Sequence, residues 1–263
     1  DMKLRVSVGQ TGNAQIGNSE YLALYGATTA DLGNGIVTPI YPNQIANNKL
    51  GWEKNTQVNA GFDANLWNGL LGINADFYYS RTTDMLFDVP VSSVSGLTTS
   101  NMNIGSMQNK GVEITLTSRK NFGDFSLGLN ANWSLNRNKV LHLGDEDAPI
   151  IKESSYVGGY YITKVGQPVG CYYLLVQDGI FHNQEELDSY PHFETTTIGD
   201  FRFVDADGDG VLDKNKDRVI VGNYMPDFYY GFGLSLGYKG FDLMANFQGV
   251  YGNEILNLER RYI

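Results

Sequence analysis

The residues best suited to chemistry in this sequence form one acidic run between positions 205 and 217. Carboxylates at alternate residues of a tight turn can converge on one point, and hard oxygens in this arrangement are the ligands that Ca²⁺ prefers. With Asp205 as position 1, carboxylates stand at positions 1, 3, 5 and 9, glycine at 6 and a main-chain carbonyl at 7, as in the first part of an EF-hand loop. The predicted ligands are Asp205, Asp207, Asp209, Asp213, Asp217 and the carbonyl oxygen of Val211.

The run departs from the EF-hand pattern at its twelfth position, which holds Lys216. An ammonium group cannot bind a cation, so we expect Asp217, one residue further on, to supply the last ligand through a bulge in the loop. No helical pattern flanks the run, which predicts a structural Ca²⁺ site that pins a long loop and not a helix–loop–helix sensor. The alternative is a solvated acidic turn that holds no metal.

Other kinds of site find little support in the sequence. Its one cysteine, Cys171, excludes an internal disulfide and a thiolate metal cluster. The histidines at positions 142, 182 and 192 share no ligand spacing, and no nucleophile elbow or P-loop motif occurs. We therefore predict that the protein is not an enzyme. A net charge of −10 without a dense Lys/Arg stripe argues against binding to nucleic acid.

The elements that must position the acidic run are predicted to be β-strands. From Phe228 to Tyr238, apolar or aromatic side chains alternate with small or polar ones, and the alternation resumes from Phe241 to Gln248. Successive strand side chains point to opposite faces, so this stretch predicts a β-hairpin with one apolar and one polar face. The same pattern recurs at 2–9, 56–66, 71–80, 112–117 and 125–136, and a further strand is expected within 170–176.

The lengths of the connections favour a transmembrane barrel over a soluble sandwich. Turns within the hairpins are short, whereas the connections between hairpins, at about 83–110, 139–170 and 179–226, are long. We predict an all-β fold: one antiparallel transmembrane β-barrel portion over 1–263, with about eight spanning strands, a polar lumen and a long extracellular loop at 179–226 that carries the acidic run. The aromatic residues that end the apolar runs would form interfacial girdles: Trp67, Tyr79, Phe125, Trp133, Tyr230, Tyr238 and Phe241.

Several motifs of the chain resemble those of the SusC/RagA family of TonB-dependent outer-membrane transporters. They are Lys3–Gly9 (KLRVSVG), Asn109–Ile114 (NKGVEI) and the stretch from Gly199 through the acidic run to Tyr230-Gly231. The sequence departs from the family pattern in an acidic loop that is one residue longer and in Tyr224, where the family often has proline. The resemblance spans nearly the whole chain but covers only the later part of such a transporter.

This resemblance implies a 22-stranded barrel in the bacterial outer membrane, with an N-terminal plug and a TonB-contacting segment that would lie upstream of Asp1. It also implies active import of glycans or peptides, powered through TonB, with a SusD-like surface lipoprotein as a lid. Loop tyrosines would then stack on sugar rings or pack against the lid: Tyr156, Tyr160, Tyr161 and Tyr190. The alternatives are a passive porin and a secreted, calcium-stabilised adhesin or binding sandwich.

Overall fold

The computed structural model of the protein describes residues 1–257 except 15, 18, 32, 34, 93, 95, 98, 145 and 154–159. Among these residues no helix is long and apolar enough to cross a membrane. The elements are β1 (Met2–Asn13), β2 (Leu24–Ala27), β3 (Ala30–Asp31), β4 (Ile36–Val37), β5 (Ile40–Gln44), β6 (Glu53–Leu66), β7 (Leu71–Pro90), β8 (Thr99–Phe122), β9 (Phe125–Leu143), β10 (Ile150–Glu153), β11 (Tyr160–Thr163), β12 (Cys171–Leu174), β13 (Gln177–Ile180), α1 (Gln184–Ser189), β14 (Phe201–Phe203), β15 (Val219–Gly222), β16 (Phe228–Tyr238) and β17 (Phe241–Tyr251).

The chain divides into two compact units, whereas the sequence analysis predicts one barrel portion over 1–263. The first unit comprises Asp1–Ala148, Lys164–Gln167 and Pro226–Tyr251, and the second comprises Pro149–Thr163, Pro168–Met225 and the residues from Gly252 onward. The second unit is separate because the connection after β9 forms sheets and a core of its own. Its buried apolar side chains are Ile162, Cys171, Phe181, Leu187 and Leu212.

The first unit contains a seven-stranded antiparallel sheet in the order β1-β6-β7-β8-β9-β16-β17. The all-β prediction is confirmed, but the expected count of about eight spanning strands is wrong. The strand expected within 170–176 is β12, which pairs with β11 and β15 in the four-stranded sheet of the second unit. With four residues it is too short to cross a bilayer, because a tilted spanning strand needs about 9–11.

The two faces of this sheet differ in polarity, as the alternation predicts. In the register of β9, β16 and β17, Leu129 lies beside Leu234 on one face, while the next residue, Asn130, lies beside Gly233 on the other. On the apolar face Leu4 and Phe247 are 80% and 62% exposed, so that face is not packed against a second sheet. A soluble sandwich would bury these side chains, and a membrane wall leaves them for lipid.

Aromatic side chains mark both edges of the apolar band. Phe125 lies opposite Tyr238 at one edge, and Trp133 lies opposite Tyr230 at the other. Eight residue steps separate the edges on each strand, which is about 26 Å along the strand. A tilt of about 40° reduces this to about 20 Å, close to the roughly 25 Å apolar band of outer-membrane barrels.

The connections of the sheet differ at its two ends. Short turns follow β6, β8 and β16, and longer connections follow β1, β7 and β9. The predicted connection at 83–110 is shorter than expected, because β7 continues to Pro90 and β8 begins at Thr99. Register shifts around Met85 allow these two strands to stay paired beyond the apolar band.

The polar face carries an ion-pair network across its first three strands. The Arg5 guanidinium on β1 donates to the Asp63 carboxylate on β6 at 2.8 Å and to the Asp76 carboxylate on β7 at 3.0 Å. Elsewhere on this face a glycine leaves room for a polar side chain of the neighbouring strand. A Cβ at Gly233 would lie 2.5 Å from the amide of Asn130, so the missing side chain makes room for the asparagine.

The two-faced sheet predicts that the same introduced charge costs more stability on the apolar face than at the neighbouring position on the polar face. Leu129 lies midway between the two aromatic edges, so Leu129→Arg in the full-length protein should weaken barrel stability by about 2–4 kcal/mol. Asn130→Arg, one residue on but on the polar face, is the matched control and should cost less. The measurement is denaturant unfolding in lipid vesicles, and equal losses for the two variants would contradict lipid exposure at Leu129.

Candidate functional site

The acidic run lies in the second unit, in the loop between β14 and β15. The strand before it, β14, pairs with β13, and the backbone N–H of Val204 donates to the carbonyl of Val176 at 2.9 Å. The strand after it, β15, pairs with β12. Both ends of the loop are therefore held by strand pairing, which limits the shapes that the residues between can adopt.

Three of the predicted ligands come together. Asp205, Asp207 and Asp209 each offer a carboxylate oxygen, and these oxygens lie within 4.8 Å of one another. Asp205 organises the turn, since its carboxylate accepts from the backbone N–H groups of Gly208 and Gly210 at 2.8 Å each. Both glycines have positive φ, +73° and +84°, a conformation that costs a side-chain-bearing residue about 1–2 kcal/mol.

Lys216, at the position where an EF-hand has its last ligand, contributes a charge of the opposite sign. Its Nζ lies 3.1 Å from the Asp209 carboxylate, which also accepts from the backbone N–H of Val211 at 2.8 Å. The Val211 N–H and the Lys216 ammonium lower the pKa of Asp209, and the hydrogen bond to Asp209 raises the pKa of Lys216. The loop thus neutralises part of its own charge.

Asp217, the predicted last ligand, points into the loop's backbone. It is 1% exposed, and its carboxylate accepts from the N–H groups of Asp213 at 2.6 Å, Ala206 at 2.8 Å and Asp207 at 3.5 Å. Burial raises the pKa of Asp217, but these N–H groups outweigh burial and the pKa is lowered. Asp217 therefore acts as an anionic clamp that closes the loop on itself.

The arrangement fits a hard cation at one end of the loop. Three carboxylates with oxygens within 4.8 Å make an oxygen-only donor set of the kind that Ca²⁺ binds. Asp213 is not one of the three residues whose oxygens converge, and one of its carboxylate oxygens accepts from the N–H of Asn215 at 2.6 Å, which leaves the second oxygen as its potential ligand atom. Val211 is 65% exposed, so the predicted carbonyl ligand belongs to a surface residue. The bidentate ligand of an EF-hand has no counterpart at Lys216.

The four tyrosines expected to contact substrate or lid fall into different surroundings. Tyr156 lies outside the described residues. Tyr160 and Tyr161 are neighbours on β11: the ring of Tyr160 lies under the Arg218 guanidinium at 3.3 Å, and the ring of Tyr161 lies 5.7 Å from that of Tyr172. Their rings are thus already engaged within the second unit, and neither is fully exposed.

Tyr190 belongs to a separate cluster at the end of α1. Its hydroxyl donates to the Asp178 carboxylate at 3.2 Å, and the Arg202 guanidinium lies 4.9 Å from its ring. Burial, followed by the hydrogen bond to Asp178, raises the pKa of Tyr190. The ring of Phe181, which is 1% exposed, meets the Tyr190 ring edge-on at 6.2 Å between centroids, so the cluster connects a half-buried tyrosine to the core of the unit.

Arg218 and Arg202 are site residues that no motif of the sequence predicts. Arg218 is 9% exposed and directly follows the clamp residue Asp217. In connections rich in glycine and tyrosine, the spacing of residues does not show whether an arginine packs on an aromatic ring or lies in solvent. The pair Asp217-Arg218, an acidic and a basic residue directly before an apolar strand, is the signal that could have found the first of them.

The backbone of the loop predicts which substitutions it tolerates. Gly210 has φ of +84° with open space where a Cβ would stand, so only conformational strain opposes a side chain. Gly210→Val should destabilise the loop by about 1–2 kcal/mol, and Gly210→Asn by less, because asparagine tolerates positive φ. Hydrogen exchange of the amides of 205–217 in the full-length protein measures both, and equal exchange in the two variants would contradict the left-handed conformation.

Comparison with known proteins places these features in a family. Residues 1–258 match the family model described as TonB dependent receptor-like, beta-barrel. TonB-dependent receptor P3 of Formosa agariphila is 33% identical over 267 residues, which cover 97% of this chain and 26% of the relative. TonB-dependent receptor SusC of Bacteroides thetaiotaomicron is 26% identical over 269 residues, which cover 97% of this chain and 25% of the relative.

The fold agrees with the sequence match. A chain of the RagAB peptide importer in its open-open state superposes with a TM-score of 0.74 at 26% identity, covering 96% of this chain and 26% of that chain. The sequence therefore spans about a quarter of the length of the relatives that it matches. The chain belongs to the TonB-dependent receptor family, whose members are outer-membrane receptors and transporters and not enzymes, and it forms part of a SusC/RagA-like β-barrel.

Proposed function

We propose that this chain forms barrel wall and external loops of a receptor that imports nutrients across the outer membrane with energy delivered through TonB. The observation that carries the proposal is the family match over residues 1–258. The sheet supports it, since one face presents apolar side chains such as Leu4 and Phe247 to lipid and the other presents Arg5, Asp63 and Asp76. The plug and the TonB-contacting segment would belong to the roughly three quarters of the relatives that this chain does not cover.

For the substrate we propose a glycan or a peptide, taken up with the help of a SusD-like surface lipoprotein. Similarity to SusC and to chains of the RagAB peptide importer supports a receptor that works with a second component. The long connection that forms the second unit is proposed to lie on the external side, because only that end of the sheet carries long connections. The polar amides and tyrosines of that unit suit both classes of substrate.

Purification of the full-length receptor from outer membranes in mild detergent tests this proposal. We expect a surface lipoprotein to co-purify in equal amount, and uptake of a labelled glycan or peptide by whole cells to stop when TonB is deleted. A barrel that purifies alone, conducts ions in a planar bilayer and takes up solute without TonB would instead be a passive porin. A protein that needs no detergent would remove the membrane assignment altogether.

For the acidic loop we propose a structural Ca²⁺ ion held by Asp205, Asp207 and Asp209, with the Val211 carbonyl and Asp213 as further oxygen ligands. The convergence of the first three carboxylates supports it. The ion would cross-link positions that backbone hydrogen bonds already bring together, and would pin the loop against thermal opening. Lys216 would have to release the Asp209 carboxylate before the ion could bind.

Protease protection tests the calcium proposal. In the full-length receptor, Ca²⁺ should slow cleavage within 205–217 relative to chelator, and Asp207→Ala should abolish the difference because it removes one of the three convergent carboxylates. Asp188→Ala, on α1 and outside the loop, is the control and should keep the calcium effect. Identical digestion of the parent with Ca²⁺ and with chelator would contradict the site.

A further inference from the structure

We propose that Asp217 and Arg218 couple the acidic loop to the hairpin of β10 and β11, and that Arg218 is a positioning residue for Tyr160. This inference goes beyond the proposed function, because it rests on contacts within the second unit and holds with or without a bound cation. The inference is based on two buried residues that are adjacent in sequence: Asp217 binds backbone groups of the acidic loop, and Arg218 contacts Tyr160 of β11.

The first half of the coupling is the clamp of Asp217. Its carboxylate accepts N–H groups from both ends of the loop, at Ala206 and Asp207 on one side and Asp213 on the other. The Asp217 N–H in turn donates to the Asp213 carbonyl at 3.0 Å. Opening of the loop would leave a carboxylate without its N–H partners in a buried position, and the position of Asp217 therefore depends on the closed loop.

The second half is the stack of Arg218 on Tyr160. The guanidinium carbon lies 3.3 Å from the ring centroid, within the distance of a close planar stack, and Arg218 is 9% exposed. Cation–π contacts of this kind are stronger when they are desolvated. Tyr160 begins β11 and lies opposite Glu153, the last residue of β10, so the guanidinium contacts the last residue pair of these two strands.

The covalent link between the two residues makes the halves interdependent. Neighbouring Cα atoms are 3.8 Å apart, so a displacement of one residue also moves the next. The Asp217 side chain closes the loop while the Arg218 side chain reaches Tyr160 of the hairpin. Val219, which follows, begins β15 and pairs with Leu174 of β12, so Asp217 and Arg218 enter a paired strand and cannot shift independently. An event that orders the acidic loop also orders the hairpin end at Tyr160.

Hydrogen exchange of the full-length receptor in detergent tests the coupling, with variants at each step of the chain of contacts. Asp217→Asn should accelerate exchange in 205–217 and in β10 and β11, by on the order of tenfold. Arg218→Lys keeps the charge but loses the planar stack, so it should accelerate exchange in the hairpin and leave the loop protected. Asp188→Asn on α1 is the control and should change neither segment.

Two matched substitutions at Tyr160 separate the contribution of the aromatic ring from that of the hydroxyl group. Tyr160→Phe keeps the ring and should behave like the parent, whereas Tyr160→Leu should behave like Arg218→Lys. If Asp217→Asn loosens the loop while β10 and β11 match the Asp188→Asn control, the coupling is wrong. If Tyr160→Phe loosens the hairpin as much as Tyr160→Leu, the stack is not the link.

Two further readouts keep the result unambiguous. Cys171 is 1% exposed and burial raises the pKa of its thiol, so labelling of this cysteine reports global opening of the second unit. If Cys171 is labelled rapidly in the Asp217→Asn variant, that variant has opened the whole unit. The exchange rates of Arg218→Lys, Tyr160→Phe and Tyr160→Leu then decide whether the loop and the hairpin are coupled. Addition of Ca²⁺ or chelator to the parent separates the two proposals, because a loop that ignores Ca²⁺ removes the metal site and leaves the coupling standing.

Discussion

Lateral hydrogen bonding between strands is the constraint on which the rest of this structure depends. A bilayer offers no partners for backbone N–H and C=O groups, so each spanning strand must find them in its neighbours. Six consecutive antiparallel pairings in the first unit supply these partners on both sides of the strands from β6 to β16, and among the described strands only β1 and β17 keep an unpaired edge. Such edges invite further strands, which agrees with a chain that covers about a quarter of its barrel-forming relatives.

The same chain stabilises carboxylates in two different ways. On the polar face of the sheet, Arg5 reaches across β6 to pair with Asp63 and Asp76, because side chains of neighbouring strands lie side by side there. In the acidic loop, backbone N–H groups of Asp213 and Ala206 take the place of the guanidinium at the Asp217 carboxylate. The difference follows from local geometry, since a tight loop turns several N–H groups inward and a strand points them sideways.

The sequence was informative wherever one face of an element meets a uniform environment. Alternation predicted the strands and the polar face, and the connection lengths together with the SusC/RagA resemblance predicted the outer-membrane location; these predictions are confirmed. It failed beyond the apolar band, where β7 and β8 continue through residues such as Asp84 and Asp88 with no apolar period to reveal them. The spacing of Asp205, Asp207 and Asp209 predicted their convergence, but the inward turn of Asp217 depends on N–H groups that no spacing shows.

The self-neutralising loop also bears on how it would bind a cation. Lys216 already places an ammonium at the Asp209 carboxylate, and hydrogen bonds from Gly208 and Gly210 already fix Asp205. Binding of Ca²⁺ would therefore exchange one positive charge for another, and the gain would be smaller than for a loop of unpaired carboxylates. The loop nevertheless keeps its closed shape without the ion, because the Asp217 carboxylate holds it closed through backbone N–H groups. A site built in this way suits a structural ion at the millimolar calcium of an external medium better than a sensor of small changes.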